Sequence, residues 1–199
     1  NAYLLEEYSL KLYSAGLRNI NISLDSLKKD RFYYFTKFNG LDKVISGIKA
    51  FKKLNDTKIK LNCVLLKGIN DDELFDFVNF AIDNELSIRF IEYMPMGKNF
   101  GNYNDIIILN SEVYTNLCER YKLVPQFYEN NNSTAKNYLI SNTKTIIGLI
   151  SPHSNSFCAN CNRIRLTSTG KLINCLGADH SIDLKNLITN NSDDVELEK

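Results

Sequence analysis

Apolar and polar residues alternate in three short segments in the first half of the chain. The segments are Asn19–Asp25, Lys58–Leu65 and Ser87–Tyr93. A period of two places successive side chains on opposite faces of a strand. In the first segment Ile20 and Ile22 lie on the apolar face, and the other face carries asparagine, serine and aspartate. We therefore predict three β-strands, each with one apolar and one polar face.

Apolar residues recur with the helical period in the segments around these strands. We predict helices over residues 1–15, Leu41–Leu54 and residues 70–84, because apolar positions there repeat every three or four residues. At the start of the third helix, Asn70 with Glu73 three residues later resembles a capping box. The first helix should bury one stripe, which consists of Leu4, Tyr8, Leu12 and Ala15.

Strands that alternate with helices through short links predict a parallel sheet. Parallel strands are usually apolar on both faces, yet these strands carry polar side chains on one face. Such a face would line the lumen of a curved sheet and contact a ligand there, whereas a two-layer sheet with one solvated face explains the alternation equally well. The lumen-facing candidates are Ser23, Lys60, Asn62 and Arg89.

The fold class predicted is α/β, either part of an open (β/α) barrel or a two-layer sheet, with a small β-rich C-terminal extension that carries a cysteine hairpin. A closed barrel of this kind needs about 250 residues, and the chain has 199. The pattern changes after Gly97, so we predict one domain over residues 1–97 and the extension over residues 98–199. Cys63 and Cys118 lie on apolar faces, and we predict that both are buried in the core.

Composition excludes several classes of function. The chain has 24 basic and 23 acidic residues and a net charge of +1, which gives no expectation of nucleic-acid or membrane binding. An odd number of cysteines, five in all, fits a metal site in a reducing compartment better than a disulfide framework. We therefore expect an intracellular protein in a reducing compartment. Because Asn1 stands within a helical pattern, we also expect an internal fragment.

Three of the cysteines lie within twenty residues, in the segment Phe157–Leu176. Cys158 and Cys161 form a C-x-x-C pair, and Cys175 follows after a predicted strand, turn and returning strand. A hairpin centred near Ser168 would set Cys161 almost opposite Cys175. The segment therefore predicts three converging thiols.

Three thiols leave two kinds of metal site open. A closed zinc site needs four ligands, so His153 or His180 would complete a Cys3His staple. Alternatively, three cysteines hold a 4Fe–4S cluster, which usually has four cysteine ligands, and leave one iron open for a substrate. Arg163 and Arg165 favour the cluster, because they share a strand face with Cys161 and suit an anion such as phosphate. A solvated strand face is the plainer explanation of the two arginines.

The chain resembles the GTP 3′,8-cyclase family, molybdenum cofactor biosynthesis protein A, among the radical S-adenosylmethionine enzymes. The resemblance is carried by CANCNRIRLTSTGKLINCL in the cysteine segment, and by AGLRNINISLDSL, KIKLNCVLLKGINDDEL and IRFIEYMPMG before it. It implies a partial (β/α)6 barrel with two 4Fe–4S clusters facing across the lumen. The first cluster cleaves S-adenosylmethionine, and the resulting radical starts the cyclisation of GTP to 3′,8-cyclo-7,8-dihydro-GTP. The product passes to cyclic pyranopterin monophosphate synthase.

The resemblance also implies roles for individual positions. The ligands of the second cluster would be Cys158, Cys161 and Cys175. Contacts to GTP would come from Lys60, Arg163 and Arg165. Contacts to S-adenosylmethionine would come from Ser23, Arg89 and Met94. Glu92 belongs to the same motif as Arg89 but points to the opposite face of its strand, so we assign it a structural role.

One departure from the family limits what this chain can do. The C-x-x-x-C-x-x-C motif that holds the radical-generating cluster is absent from the sequence, as is the C-terminal double glycine. We therefore predict that this polypeptide alone is inactive and cannot cleave S-adenosylmethionine. Rival hypotheses are a non-catalytic, zinc-stapled binding module and a peptide-modifying radical enzyme. The arginine pair argues against the peptide-modifying enzyme. The sequence leaves a homodimer open.

Overall fold

The computed structural model describes residues 1–95, 102–127, 134–155, 163–175 and 181–189. The chain divides into two compact units, Asn1–Phe157 and Cys158–Lys199. The division predicted from the sequence, at residue 97, stays a prediction, although the sheet of the first unit draws strands from both sides of that position.

A six-stranded mixed sheet forms the framework of the first unit. Its strands in chain order are β1 Asn19–Ser23, β2 Lys58–Val64, β3 Ser87–Ile91, β4 Leu123–Gln126, β5 Ala135–Ile140 and β6 Ile146–Ile150. They lie side by side in the order β1-β2-β3-β6-β5-β4. The pairs β1–β2, β2–β3 and β3–β6 are parallel, whereas the pairs β6–β5 and β5–β4 are antiparallel. The predicted parallel arrangement of β1, β2 and β3 is confirmed, whereas barrel curvature stays a prediction.

The helices of this unit are α1 Leu5–Ser14, α2 Lys29–Thr36, α3 Leu41–Lys52, α4 Leu74–Asp83, α5 Tyr103–Ile106 and α6 Asn110–Cys118. Helices α3 and α4 pack against the sheet, and α1 packs on α3. A single 3-10 turn, Asp71–Glu73, leads into α4. The core between helices and sheet is apolar and includes Phe51, Phe77 and Phe90, each at most 1% exposed. Cys63 belongs to it as predicted, and burial raises the pKa of its thiol well above the usual value.

The predicted buried stripe of α1 is wrong. Leu4, Tyr8 and Leu12 are 53%, 40% and 36% exposed, and the helix instead buries Leu5 and Ser9. The reason is a close approach to α3 at Gly47. A methyl group built on that glycine would lie 2.9 Å from the backbone oxygen of Ala2 and from Cβ of Leu5. The close approach at Gly47 thus turns the face with Leu5 and Ser9 towards α3.

Two other predictions about single residues are also wrong. Cys118 is exposed, because Val113 and Leu117 form the buried stripe of α6 and the next residue points about 100° away. Cys118 lies beside the Tyr114 phenol and raises its pKa. Asn70 makes no capping hydrogen bond at the start of the 3-10 turn. Its side-chain oxygen accepts a bond from the Leu66 amide at 2.7 Å instead.

Within its described residues, 163–175 and 181–189, the second unit contains a small antiparallel sheet and a short helix. Its elements are β7 Arg165–Leu166, β8 Lys171–Ile173, β9 Ile182–Asp183 and α7 Leu184–Thr189. β7 pairs with β8, with Arg165 opposite Ile173, so the predicted turn between these strands is present. Gly170 occupies the turn with a φ of 81°, a conformation that suits glycine. Because Cys158 and Cys161 lie outside the described residues, convergence of the three thiols stays a prediction.

Candidate functional site

A row of polar residues crosses the helix-free face of the first unit's sheet. Ser23 of β1 stands in register with Asn62 of β2, and Asn62 with Arg89 of β3. Residues in register on neighbouring strands project from the same face, and Lys60 lies two positions before Asn62 on β2. The structure therefore brings together Ser23, Lys60 and Arg89 on one face, as the alternation predicted.

Arg89 has room to extend across the sheet because its neighbour on β6 is a glycine. Gly148 stands in register with Arg89, and a methyl group built on it would lie 2.9 Å from Cγ of Arg89 and 3.1 Å from Oδ1 of Asn137. The stem of Arg89 thus passes over the backbone of β6 towards β5. Sequence reasoning missed Gly148, although an isolated glycine within an apolar strand is a signal of close approach.

The polar row is positively charged and partly withdrawn from water. The pKa of Lys60 is lowered, first because burial disfavours its ammonium form and then because the charges of Arg89 and Lys58 repel it. An anion bound beside these side chains would offset their mutual repulsion, and their positive charges would attract it. The row therefore suits an anionic group of a ligand.

Asn62, in the middle of the row, carries an unsatisfied acceptor. Its side-chain oxygen is buried and has no hydrogen-bond partner among the residues that the structure describes. Leaving a buried polar atom without a partner costs about 1–3 kcal/mol. A ligand that donates a hydrogen bond at this position would recover that energy.

A cleft of about 290 Å³ opens at the carboxyl ends of β1, β2 and β3. Ligands of parallel sheets bind at this end of the strands. Met94, predicted to contact S-adenosylmethionine, lies here and is 37% exposed. The cleft is lined by Asp25, Phe35, Val64, Leu66, Ile91, Glu92, Tyr93 and Met94.

The loops bordering this cleft are fixed by side chains with distant partners. The buried carboxylate of Glu73 accepts hydrogen bonds from the Ser26 hydroxyl at 2.9 Å, the Leu27 amide at 2.7 Å and the Arg31 guanidinium at 2.9 Å. Asn70 donates to the Asp25 backbone oxygen at 2.6 Å. The loop after β1 is therefore tied to the loop after β2, which pre-organises the cleft.

Glu92 is buried and faces away from the polar row, which fits its predicted structural role. Its carboxylate accepts bonds from the Asn110 and Ser154 amides at 2.9 Å, from the His153 amide at 3.2 Å and from the Ser154 hydroxyl. Burial favours the neutral acid, but these hydrogen bonds outweigh it and hold the pKa of Glu92 below its usual value. Glu92 thus joins the end of β3 to the start of α6 and to residues 153 and 154.

The predicted cysteine ligands are only partly described. Cys175 is exposed and is not in a disulfide, whereas Cys158, Cys161 and His180 lie outside the described residues. Within the described ranges, no three histidine, cysteine or acidic side chains are grouped to hold a metal ion. Arg165 is half-buried in β7 and Arg163 is exposed two residues before it. The cluster assignment stays a prediction.

None of the helices that the structure describes has the length and apolar character that a membrane crossing requires. The prediction that the protein does not bind membranes stays a prediction.

Comparison with known proteins places the chain among enzymes named for GTP cyclisation. It is 44% identical over 202 residues to the GTP 3′,8-cyclase of Pseudomonas putida, covering 100% of this chain and 60% of that protein. It is 40% identical over 197 residues to GTP 3′,8-cyclase 2 of Pseudomonas aeruginosa, covering 98% and 59%. The GTP 3′,8-cyclase of Clostridium botulinum is 43% identical over 191 residues, covering 96% and 59%. The chain thus spans about three fifths of the length of these relatives.

The sequence profile of the family described as Molybdenum Cofactor Synthesis C matches residues 86–199. The match includes β3, the extension and the whole cysteine segment. This confirms the resemblance seen in the sequence motifs. Because the profile covers more than half of the chain, the chain belongs to the Molybdenum Cofactor Synthesis C family.

Proposed function

We propose that this chain is the nucleotide-binding and second-cluster part of a GTP 3′,8-cyclase of molybdenum cofactor biosynthesis. The observation that carries the proposal is the positively charged polar row with an unsatisfied amide oxygen at its centre. Lys60 and Arg89 attract an anionic group, and the side-chain oxygen of Asn62 can accept a hydrogen bond from a ligand. A nucleotide carries both an anionic group and hydrogen-bond donors. The names of the relatives agree with such a substrate.

S-adenosylmethionine fits the residues present around Asn62. We propose that Ser23, Arg89 and Met94 hold it, since they combine a hydroxyl, a cation for its carboxylate and a polarisable thioether at the cleft. When bound in a complete radical enzyme, this molecule supplies the radical that abstracts hydrogen from the substrate. The chain's own residues orient it and exclude water from the cleft.

A 4Fe–4S cluster fits the donor set of the cysteine segment. We propose that Cys158, Cys161 and Cys175 hold it, and an exposed thiol outside any disulfide, as Cys175 has, is available for ligation. Three protein ligands leave one iron open to a ligand atom, because such clusters usually have four cysteine ligands. Lys60, Arg163 and Arg165 would bind the phosphates of GTP, since cationic side chains hold phosphate groups strongly.

The same assignment predicts the fate of the product, the compartment and the activity of the isolated chain. The product would pass to cyclic pyranopterin monophosphate synthase, and the protein would work in a reducing compartment, bacterial cytoplasm or mitochondrial matrix. Because the sequence contains no C-x-x-x-C-x-x-C motif, we expect no cleavage of S-adenosylmethionine by this polypeptide alone. Formation of 5′-deoxyadenosine by the isolated chain under reducing, anaerobic conditions would contradict that expectation.

Anaerobic reconstitution with iron and sulfide tests the cluster. We expect a brown protein with about four iron atoms per chain, and Cys175→Ser should lose most of them. Cys118→Ser is the matched control, because Cys118 is also exposed but lies on α6, outside the motif. A colourless protein that binds one zinc ion through the same cysteines would favour the zinc-stapled binding module instead.

Titration with GTP tests the nucleotide site. Lys60→Ala should weaken binding about tenfold or more, because a charge-assisted hydrogen bond contributes about 1.5–3 kcal/mol. Lys144→Ala is the control, since Lys144 is exposed and pairs with Glu85 at the sheet's periphery. Equal affinity of Lys60→Ala and the unmodified chain for GTP would exclude Lys60 from the site.

A further inference from the structure

Asp25 lines the cleft, and one of its two carboxylate oxygens has a partner among the residues that the structure describes. One oxygen accepts a hydrogen bond from the Val64 amide at 2.8 Å. The other has no hydrogen bond or ion pair within the described part of the chain, and it is not among the buried unsatisfied atoms. Since Asp25 lines the cleft and this second oxygen is not buried, we infer that it faces the cleft.

The surroundings of that oxygen are mainly apolar. Phe35, Leu66, Tyr93 and Met94 form much of the cleft wall, and burial raises the pKa of Asp25 above its usual value. Glu92 also lines the cleft, but its oxygens already accept four hydrogen bonds. Asp25 therefore offers the cleft an acceptor that no group of the described residues uses.

The position of Asp25 is fixed independently of any ligand. Asn70 binds its backbone oxygen at 2.6 Å and the Val64 backbone oxygen at 3.0 Å. Glu73 holds the next two residues, Ser26 and Leu27. An asparagine could also accept the Val64 hydrogen bond, so the fold does not require a charged group here. A carboxylate in an apolar cleft is costly, which points to a use in binding.

Size and charge limit what can occupy the cleft. About 290 Å³ is at the lower end of ligand pockets, which span about 300–1,000 Å³, and it suits one nucleobase. A phosphate or carboxylate would be repelled by Asp25. The cationic row comes nearest to the cleft at Arg89, which is in register with Asn62, about 7 Å back along β2 from Val64 at a strand rise of about 3.3 Å per residue. A nucleoside with an acidic tail can therefore place its base in the cleft and its anionic end on the row.

We propose that Asp25 is a specificity-determining residue whose free oxygen accepts a hydrogen bond from the exocyclic amine of a bound adenine ring. This inference rests on the proposed function, because it takes an adenosyl compound as the ligand. Asp25 selects for an amine and against a carbonyl at the same position of the base, since a carbonyl oxygen would face the carboxylate without a proton between them. A buried group left unpaired in this way discriminates strongly between ligands.

Calorimetric titration of the full chain with two stable analogues tests the proposal. The probes are S-adenosylhomocysteine, which carries the amine, and S-inosylhomocysteine, which carries a carbonyl in its place. We expect the unmodified chain to bind the amine compound at least about tenfold more tightly. Asp25→Asn should lose or reverse that preference, because its amide can donate to the carbonyl. Asp72→Asn is the control, since Asp72 is half exposed and does not line the cleft.

The outcomes separate the inference from the proposed function. If the unmodified chain binds S-adenosylhomocysteine and Asp25→Asn retains the same preference, Asp25 does not read the base and the inference is overturned. If the unmodified chain binds neither analogue, the assignment of an adenosyl ligand fails and the inference fails with it. Thermal denaturation of Asp25→Asn distinguishes loss of selectivity from unfolding, because its hydrogen bond to Val64 should preserve the melting temperature.

Discussion

Replacing Gly148 with alanine should displace Arg89 while leaving the sheet intact. The added methyl group would lie 2.9 Å from Cγ of Arg89, 3.1 Å from Oδ1 of Asn137 and 3.4 Å from Cβ of Ala135. Non-bonded carbon atoms pack at about 3.5–4.0 Å, so Cγ of Arg89 must retreat by roughly 0.6–1 Å. The backbone of Gly148 is not among the positive-φ positions, and alanine therefore adds no backbone strain.

The expected effects on stability and on binding differ in size. Crowding in a packed region costs about 1–3 kcal/mol, but the flexible stem of Arg89 can move, and alanine is favoured over glycine within a strand by about 0.5–1 kcal/mol. We therefore expect the free energy of unfolding to change by about 1 kcal/mol or less. Displacement of a positioned group by about 1 Å can reduce function about a hundredfold, so affinity for S-adenosylhomocysteine should fall by between ten and a hundred times.

A double-mutant cycle checks that the effect passes through Arg89. Affinity for S-adenosylhomocysteine is measured calorimetrically for Gly148→Ala, Arg89→Ala and the double variant, with urea denaturation of each. In the Arg89→Ala background the alanine at position 148 no longer meets Cγ of residue 89, although Asn137 and Ala135 remain close, so it should change affinity little. An equal loss of affinity in both backgrounds would contradict the contact between Gly148 and Arg89.

Three further predictions concern stability and metal content. The hydrogen bonds from Arg31 and Lys28 lower the pKa of Asp72 from 3.8 to about 2, so this carboxylate stabilises the fold above about pH 4, and the contribution disappears as the pH falls to about 2. Because the pair is half exposed, Asp72→Asn should remove at most about 1 kcal/mol, measured by urea denaturation at pH 7 and pH 3. Glu92→Gln should lower the free energy of unfolding by about 3 kcal/mol at pH 7, because an amide cannot accept four hydrogen bonds and would turn its own N–H groups towards donors; an unchanged melting temperature would disprove this. Cys175→Ser should reduce the iron bound after anaerobic reconstitution, whereas Cys118→Ser should not.

The faces of the strands were predictable from the sequence because one side of each strand is buried. Alternation in β2 places Ile59, Leu61 and Cys63 towards the helices, and the structure buries all three. A shift of one residue would have exposed all of them. The same constraint fixed Lys60 on the opposite face, so a candidate ligand residue followed from the burial of its neighbours.

The order of the strands could not be read in this way. β6 was expected in the extension, yet it pairs with β3 and continues the parallel part of the sheet. The apolar–polar pattern describes one strand or helix at a time, whereas the order of strands in the sheet depends on which strands pair with each other. Helix α2 was missed because KDRFYYFT shows no helical stripe, and only Phe32 is buried within it.

Contacts between distant polar residues were equally hidden. Asn70 and Glu73 follow each other at the spacing of a capping box, but both bind the loop after β1, more than forty residues earlier. Asn70 also bonds the Leu66 amide and the Val64 backbone oxygen, neither of which lies in the helix that it was expected to cap. A local motif predicts local hydrogen bonds, and only the neighbouring strands explain why these side chains turned elsewhere. Gly148 is a similar case, because the need for a glycine there comes from the side chain of Arg89 on another strand.

Different residues position the loops beside the cleft and contact the proposed ligand. Variants can therefore distinguish a loss of ligand selectivity from a displaced loop. Asn70 and Glu73 bind the loop after β1 but do not line the cleft themselves. A change at either residue would move Asp25 and weaken the binding of every ligand together, and it would also destabilise the fold by leaving buried groups without partners. Asp25→Asn keeps those ties and changes only the group presented to the base. Changed preference at constant stability is therefore the signature of direct recognition, whereas uniform loss with lower stability indicates a displaced loop.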